Sequence, residues 1–189
     1  STDADHLDIY GDVCTIKAAF AEFASQIKES GSLVLKKGVS IDASNIKAKV
    51  YSYSFNGTAD FYAKNAEVIE GGYYKFDIVY PSYTTIYGEN ISGGEISGCV
   101  LGVPGWVNAE NAIAASATAL LGGLSPQDIK EALKVFSGVE RRFDIHLNTP
   151  KITYIDDYAH HPKEISSAIT SIRNIFPGRK LCGIFQPHL

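Results

Sequence analysis

The chain of 189 residues contains no methionine, one tryptophan and only three cysteines. Cys14, Cys99 and Cys182 are odd in number, widely spaced and without a CxxC pair, which favours reduced thiols in a cytoplasmic protein. No apolar run reaches the roughly 18 residues of a membrane span, and the chain shows no signal-peptide pattern. Because methionine is missing even at position 1, we expect a segment of a longer protein.

Two further absences concern partners and chemistry. A formal net charge of −4 gives no electrostatic reason to expect a nucleic-acid partner. The glycine pairs at 93–94 and 122–123 lack the lysine and hydroxyl that would follow in a Walker A motif, and no GxSxG elbow is present. Composition and these absences therefore indicate an α/β ligand-binding protein and leave its reaction open.

Hydrophobic periodicity predicts mixed secondary structure in the first two thirds of the chain. Residues 12–27 have the apolar spacing of an amphipathic helix, and residues 33–35 read as a strand. A helix is expected from Asn108, and another after Ser125 as N-cap with Pro126 at its first position. Four runs rich in β-branched and aromatic residues predict strands, with Gly71-Gly72 as a hairpin turn between two of them: 50–55, 61–69, 73–80 and 96–101.

The last section reads as a βαβ unit after a polar boundary segment that ends at Pro150. Residues 151–155 and 181–185 are the predicted strands, and a helix is expected to start at Pro162. Such units pair their strands in parallel, so the carboxyl ends of both strands lie at one sheet edge, where open α/β sheets bind ligands. We therefore expect Asp157, His160 and His188 on one rim.

The turn at 155–164 is the part of the chain that is densest in chemical groups. Adjacent His160 and His161 cannot easily point into one site, so a zinc pair is disfavoured. His161 before Pro162 is better explained as a helix start. Asp157 has two open interpretations, an Asx-type turn or cap and a site residue.

Three more candidates lie upstream of that turn. Asn108 and Asn111 share a face beside the positive end of a helix, where one could be the N-cap or both could read a heterocycle edge. Arg142, next to Arg141, is either a solvated cation or a bidentate phosphate ligand. His6, between two aspartates, is either a surface loop residue or a metal ligand.

Five motifs, taken in order, closely resemble those of the Mur ligases, the ATP-dependent amide-forming enzymes of peptidoglycan synthesis. The resemblance runs essentially from end to end. The motifs are Ala4-Asp5-His6-Leu7-Asp8, Asn108-x-x-Asn111 after Pro104-Gly105, Gly138-Val139-Glu140-Arg141-Arg142-Phe143, Asp156-Asp157-Tyr158-Ala159-His160-His161-Pro162 and Phe185-Gln186-Pro187-His188.

The resemblance implies an α/β fold in two parts. Residues 1–143 would belong to the P-loop-type central ATP-binding domain, a mixed sheet with flanking helices and a β-rich section, without its P-loop. Residues 144–189 would begin a Rossmann-like C-terminal domain with its first βαβ unit. The P-loop and a UDP-binding domain would precede Ser1.

The resemblance also implies a reaction with ATP and Mg²⁺, in which a substrate carboxylate becomes an acyl phosphate that an amine attacks. By position, His6 would be a catalytic Mg²⁺ ligand, and Asn108 and Asn111 would contact adenine. Arg142 would hold a phosphate in the catalytic site and Asp157 the nucleotide. Tyr158 and His160 would shape the pocket for the incoming amino acid.

Within the family, the motifs favour the branch that joins L-alanine to UDP-N-acetylmuramate. Phe20, with only Lys17 nearby, stands where branches that add later amino acids carry a modified lysine. Val107 and Leu189 depart from the alanine-adding pattern, which usually has histidine and arginine there. A recycling ligase that attaches a tripeptide to the same nucleotide sugar and a non-catalytic nucleotide-binding module are the alternatives.

Overall fold

The computed structural model describes residues 10–187. Helix α1 is Val13–Ser25 and begins at Asp12, whose carboxylate accepts a hydrogen bond of 2.7 Å from the backbone N–H of Thr15. That bond holds the pKa of Asp12 below its usual value. The helix predicted over residues 12–27 is therefore confirmed. No helix in the described range is long and apolar enough to cross a membrane.

The central section contains seven strands, which in chain order are β1 Ser32–Lys36, β2 Lys49–Ser54, β3 Phe61–Ile69, β4 Tyr73–Tyr80, β5 Tyr83–Thr84, β6 Asn90–Ile91 and β7 Gly94–Val100. Five of them form a mixed sheet in the order β1-β2-β3-β4-β7. The first three strands pair in parallel, and β3, β4 and β7 pair in antiparallel fashion. A separate two-stranded ladder joins β5 to β6.

The turn between β3 and β4 is the predicted hairpin. Residues Glu70–Gly72 form the reversal, in which Gly71 and Gly72 have φ values of 80° and 78°. Residues with a Cβ rarely adopt this left-handed region, so the Gly-Gly pair permits the tight reversal. The four predicted strands of this section are confirmed, and two of them match to the residue.

Two helices pack on the sheet. Helix α2 is Trp106–Leu121, and its small and apolar side chains lie against the sheet in one core with Phe61, Phe76 and Ile78. Helix α3 is Pro126–Val135 and begins at Ser125, whose hydroxyl accepts a bond from the N–H of Asp128, as predicted. Helix α2 packs against β1 and β2, and Glu110 near its start contacts Lys36 at the end of β1, so the start of α2 lies beside the carboxyl ends of these parallel strands.

The last section differs from the expected parallel unit. The polar stretch after Phe143 forms strand β8, Asp144–Asn148, which pairs in antiparallel fashion with β9, Thr153–Asp156. Helix α4 is Pro162–Ile175, and His161 is its N-cap, as expected. Residues 181–187 form no strand in the described structure, so the prediction of a strand at 181–185 was wrong. A segment is a strand only when its backbone hydrogen-bonds a neighbouring strand. Strand β9 pairs with β8 and not with residues 181–187.

Candidate functional site

A cavity of about 1100 Å³ opens where the ends of β1 and β2, the start of α2, the segment after α3 and the start of α4 meet. Its lining includes Asn108, Asn111, Arg142 and Asp157, which are four of the predicted site residues. They come from positions up to 49 residues apart. A concave surface with a few convergent polar groups is the usual form of a small-molecule site.

The amide pair lies in the first two turns of α2. The helix begins after Gly105, which has a φ of 97° and no side-chain cap, so neither asparagine is the N-cap. The side-chain Nδ2 of Asn108 donates to the carbonyl of Pro104 at 2.8 Å. Asn111 is exposed one turn later and also lines the cavity. Two amides beside the positive end of a helix are suited to a heterocycle and its negatively charged substituents.

A charged cluster beside the amides was not predicted from the sequence. Lys36 and Tyr53 are register partners at the ends of β1 and β2, and the Lys36 ammonium lies 2.5 Å from the carboxylate of Glu110. Burial, and then the negative charge of Glu110, raise the pKa of Tyr53. All three residues line the cavity. Their positions at strand ends and between the two asparagines were the signals that could have indicated them.

The segment from Val139 to Phe143 carries Arg142 into the cavity. Arg141 and Phe143, on either side, have φ values of 59° and 53°, which cost a residue with a side chain roughly 1–3 kcal/mol each. Hydrogen bonds to the next section hold this shape. The carboxylate of Asp157 accepts from the N–H of Phe143 at 2.8 Å, and the N–H of Tyr158 donates to the carbonyl of Arg141 at 2.7 Å.

The turn after β9 separates its predicted residues. Asp157 also accepts a bond of 2.8 Å from the N–H of Ala159, so its Asx-turn interpretation holds while the side chain lines the cavity. Tyr158 and His160 are not among the lining residues; their rings pack edge-to-face at 5.4 Å. The guanidinium of Arg141 lies 4.8 Å from the centre of the Tyr158 ring. His161 was interpreted from the sequence only as a helix start, but it both caps α4 and lines the cavity. Lys163 also lines the cavity.

The predicted metal ligand His6 and the rim residue His188 lie outside the described residues. Within residues 10–187, no group of three or more histidine, cysteine, aspartate or glutamate side chains could hold a metal ion. The cavity itself offers amides, cations and carboxylates, which is a donor and acceptor set that fits a nucleotide.

Sequence comparison identifies the family. The model of the Mur ligase middle domain matches residues 2–119, and the model of the Mur ligase glutamate ligase domain matches residues 141–188. The chain belongs to the Mur ligase family. The predicted family is thus confirmed, and the mixed sheet with flanking helices is the fold that its relatives share.

Named relatives place the chain more closely within the family. It is 43% identical over 190 residues to a UDP-N-acetylmuramate–L-alanine ligase of Parabacteroides distasonis and 39% identical over 192 residues to one of Porphyromonas gingivalis. Both alignments cover the whole chain but only 38% and 39% of those relatives, so the chain spans well under half of their length. The crystal structure of a UDP-N-acetylmuramate–alanine ligase from Thermotoga maritima superposes with a TM-score of 0.71 and 26% identity, over 98% of this chain and 39% of that one.

Proposed function

We propose that this chain is part of an ATP-dependent ligase that joins L-alanine to UDP-N-acetylmuramate in peptidoglycan synthesis. The convergence of Asn108, Asn111, Arg142 and Asp157 on one cavity carries the proposal. Relatives that match the chain from end to end bear the name of that enzyme. The protein that contains the chain would act in the cytoplasm on small-molecule substrates.

We assign a role to each candidate residue. Asn108 and Asn111 would hydrogen-bond the adenine edge, and Arg142 would bind a phosphate through its planar guanidinium. Asp157 would face the nucleotide from the C-terminal side. Tyr158 and His160, which pack on each other outside the cavity, would bound the pocket for L-alanine. His6 would be the ligand to Mg²⁺, whose charge stabilises the phosphoryl group during transfer.

We also propose that residues 1–143 belong to the central domain and residues 144–189 to the C-terminal domain. The two family matches, 2–119 and 141–188, are separate, and the second begins three residues before residue 144. Strands β8 and β9 pair with each other and make no ladder with the five-stranded sheet. The Arg142 segment would then be the connection between the two domains.

The test is release of ADP by the full-length protein that contains this chain. With ATP, Mg²⁺ and UDP-N-acetylmuramate, L-alanine should support turnover and the tripeptide of the recycling branch should not. Preference for the tripeptide would assign the protein to that branch, and turnover with neither would leave only nucleotide binding. Residues 1–189 by themselves should make no product, because they contain no P-loop motif, and acyl phosphate formation by this piece would contradict that expectation.

A further inference from the structure

The carboxylate of Glu164 contacts two residues of the candidate site, Arg142 and His160. Its Oε1 lies 3.6 Å from a guanidinium nitrogen of Arg142, and its Oε2 lies 3.7 Å from Nδ1 of His160. The same Oε2 accepts a bond of 3.3 Å from the backbone N–H of His160. One side chain therefore contacts both the residue proposed to hold a phosphate and the residue proposed to bound the amino-acid pocket.

The local sequence explains why Glu164 points back in this way. It is the third residue of α4, after the N-cap His161 and Pro162 at the first position. A glutamate there commonly reaches back to a backbone N–H just before the helix, and a negative charge is favoured in the first turn. Such a cap uses one carboxylate oxygen. The second oxygen is turned towards Arg142, which belongs to the segment before β8.

The contact between Glu164 and Arg142 is more relevant to ligand binding than to folding. The side chains of Arg142 and Glu164 are 53% and 40% exposed, so the pair is worth little to folding stability. Both residues line the cavity. The contact with Glu164 uses one nitrogen of Arg142, and a guanidinium has five N–H donors in a fixed fork, so donors remain for a phosphate.

We infer that Glu164 is a positioning residue that orients Arg142 towards the phosphates and fixes His160 at the amino-acid pocket. This inference rests on the proposed function for its substrates. One oxygen serves each neighbour, so the two contacts can be separated by substitution. Glutamine at this position retains an acceptor for the His160 N–H but has no negative charge for Arg142, whereas alanine removes both contacts.

The experiment measures KM and kcat of the full-length protein for ATP and for L-alanine. Glu164→Gln should raise KM for ATP by about two- to fivefold, the scale of a partly exposed ion pair, and leave KM for L-alanine near its original value. Glu164→Ala should raise both. The control Glu22→Gln makes the same change on an exposed position of α1, outside the cavity, and should alter neither.

An unchanged KM for both substrates in both Glu164 variants would overturn the inference. A lowered melting temperature in the same variants would then show that Glu164 is a helix cap without a positioning role, because such a cap affects stability alone. Calorimetric titration with a non-hydrolysable ATP analogue separates this test from the proposed function. If the wild-type protein shows no turnover with L-alanine, the proposed function fails, while weaker analogue binding by Glu164→Gln still supports the contact with Arg142.

Discussion

The carboxylate of Asp157 accepts a hydrogen bond of 2.8 Å from the backbone N–H of Phe143, 14 positions earlier in the chain. Phe143 is one of the residues held in the left-handed region, and Asp157 is bonded at the same time to the N–H of Ala159. One side chain thus fixes the end of the segment that carries Arg142 and the turn after β9. A hydrogen bond between a charged and a neutral group contributes more to stability than one between two neutral groups.

Replacement of this carboxylate should loosen both segments. Asp157→Ala removes the acceptor for two N–H groups, and we expect the free energy of unfolding to fall by about 1–3 kcal/mol. Hydrogen exchange at the amides of Phe143 and Ala159 should become faster. Asp156→Ala is the control, because the contacts of the Asp156 side chain within residues 10–187 are long ion pairs, at 3.9 Å to Arg141 and 4.0 Å to His146. Unchanged exchange at both amides in Asp157→Ala would contradict the expected role.

Gly72 should be sensitive because α4 approaches it closely. A Cβ added to Gly72 would lie 2.3 Å from Cγ1 of Ile175, and its φ of 78° disfavours any side chain. Gly72→Ala should therefore cost about 1–2 kcal/mol through the backbone conformation and about 1–3 kcal/mol more through overlap. Chemical denaturation measures the sum.

Gly178→Ala is the matched control for the backbone cost alone. Gly178 has a φ of 82°, and an added Cβ would meet no atom of residues 10–187 within 4 Å. The double variant Gly72→Ala/Ile175→Ala should lose less stability than the two single changes added together, because the overlap is removed. Strictly additive losses would show that Ile175 does not press on Gly72.

The two asparagines of α2 should differ in their effect on stability. Asn108 donates to the carbonyl of Pro104, so Asn108→Ala should lower the free energy of unfolding by about 1 kcal/mol, whereas Asn111→Ala should not. Both changes should weaken binding of an ATP analogue to the full-length protein. Asn174→Ala, on an exposed position of α4 outside the cavity, should alter neither measurement. Equal melting temperatures for the two α2 variants would contradict the contact with Pro104.

The three thiols should react at very different rates. Burial raises the pKa of Cys99 from 9.0 to about 11, whereas Cys14 and Cys182 are exposed. Only about one Cys99 in a thousand would be a thiolate at pH 8, and the thiolate is the reactive form. A thiol reagent should therefore modify two cysteines quickly and the third only in denaturant. Three equally fast thiols in the folded protein would contradict this.

The same shift predicts a loss of stability at high pH. The unfolded thiol ionises above pH 9, whereas the folded one stays protonated until about pH 11. Between these values the unfolded state binds fewer protons, so the free energy of unfolding falls as the pH rises. Cys99→Ala should remove this part of the pH dependence, at a separate and constant cost in packing.

Local chemistry was enough to predict most of the elements of the fold. The β-branched and aromatic runs at 61–69 and 73–80 match β3 and β4 to the residue, because glycine, proline or polar residues flank each run. The serine and histidine before Pro126 and Pro162 are the N-caps of α3 and α4, as predicted. The predictions for two segments were wrong: residues 144–148 form strand β8, and residues 181–185 form no strand. The reason is that the side-chain pattern of a segment does not specify which strand it pairs with.

What the sequence by itself determined was therefore local: helix starts, the Gly-Gly hairpin and the order of motifs that identifies a Mur ligase. Only the tertiary structure decided which side chains meet. The pairing of β1 with β2 places Lys36 beside Tyr53, and α2 adds Glu110. The start of α4 brings Glu164 to Arg142. These contacts depend on packing between elements distant in the chain, and no local spacing encodes the geometry of that packing.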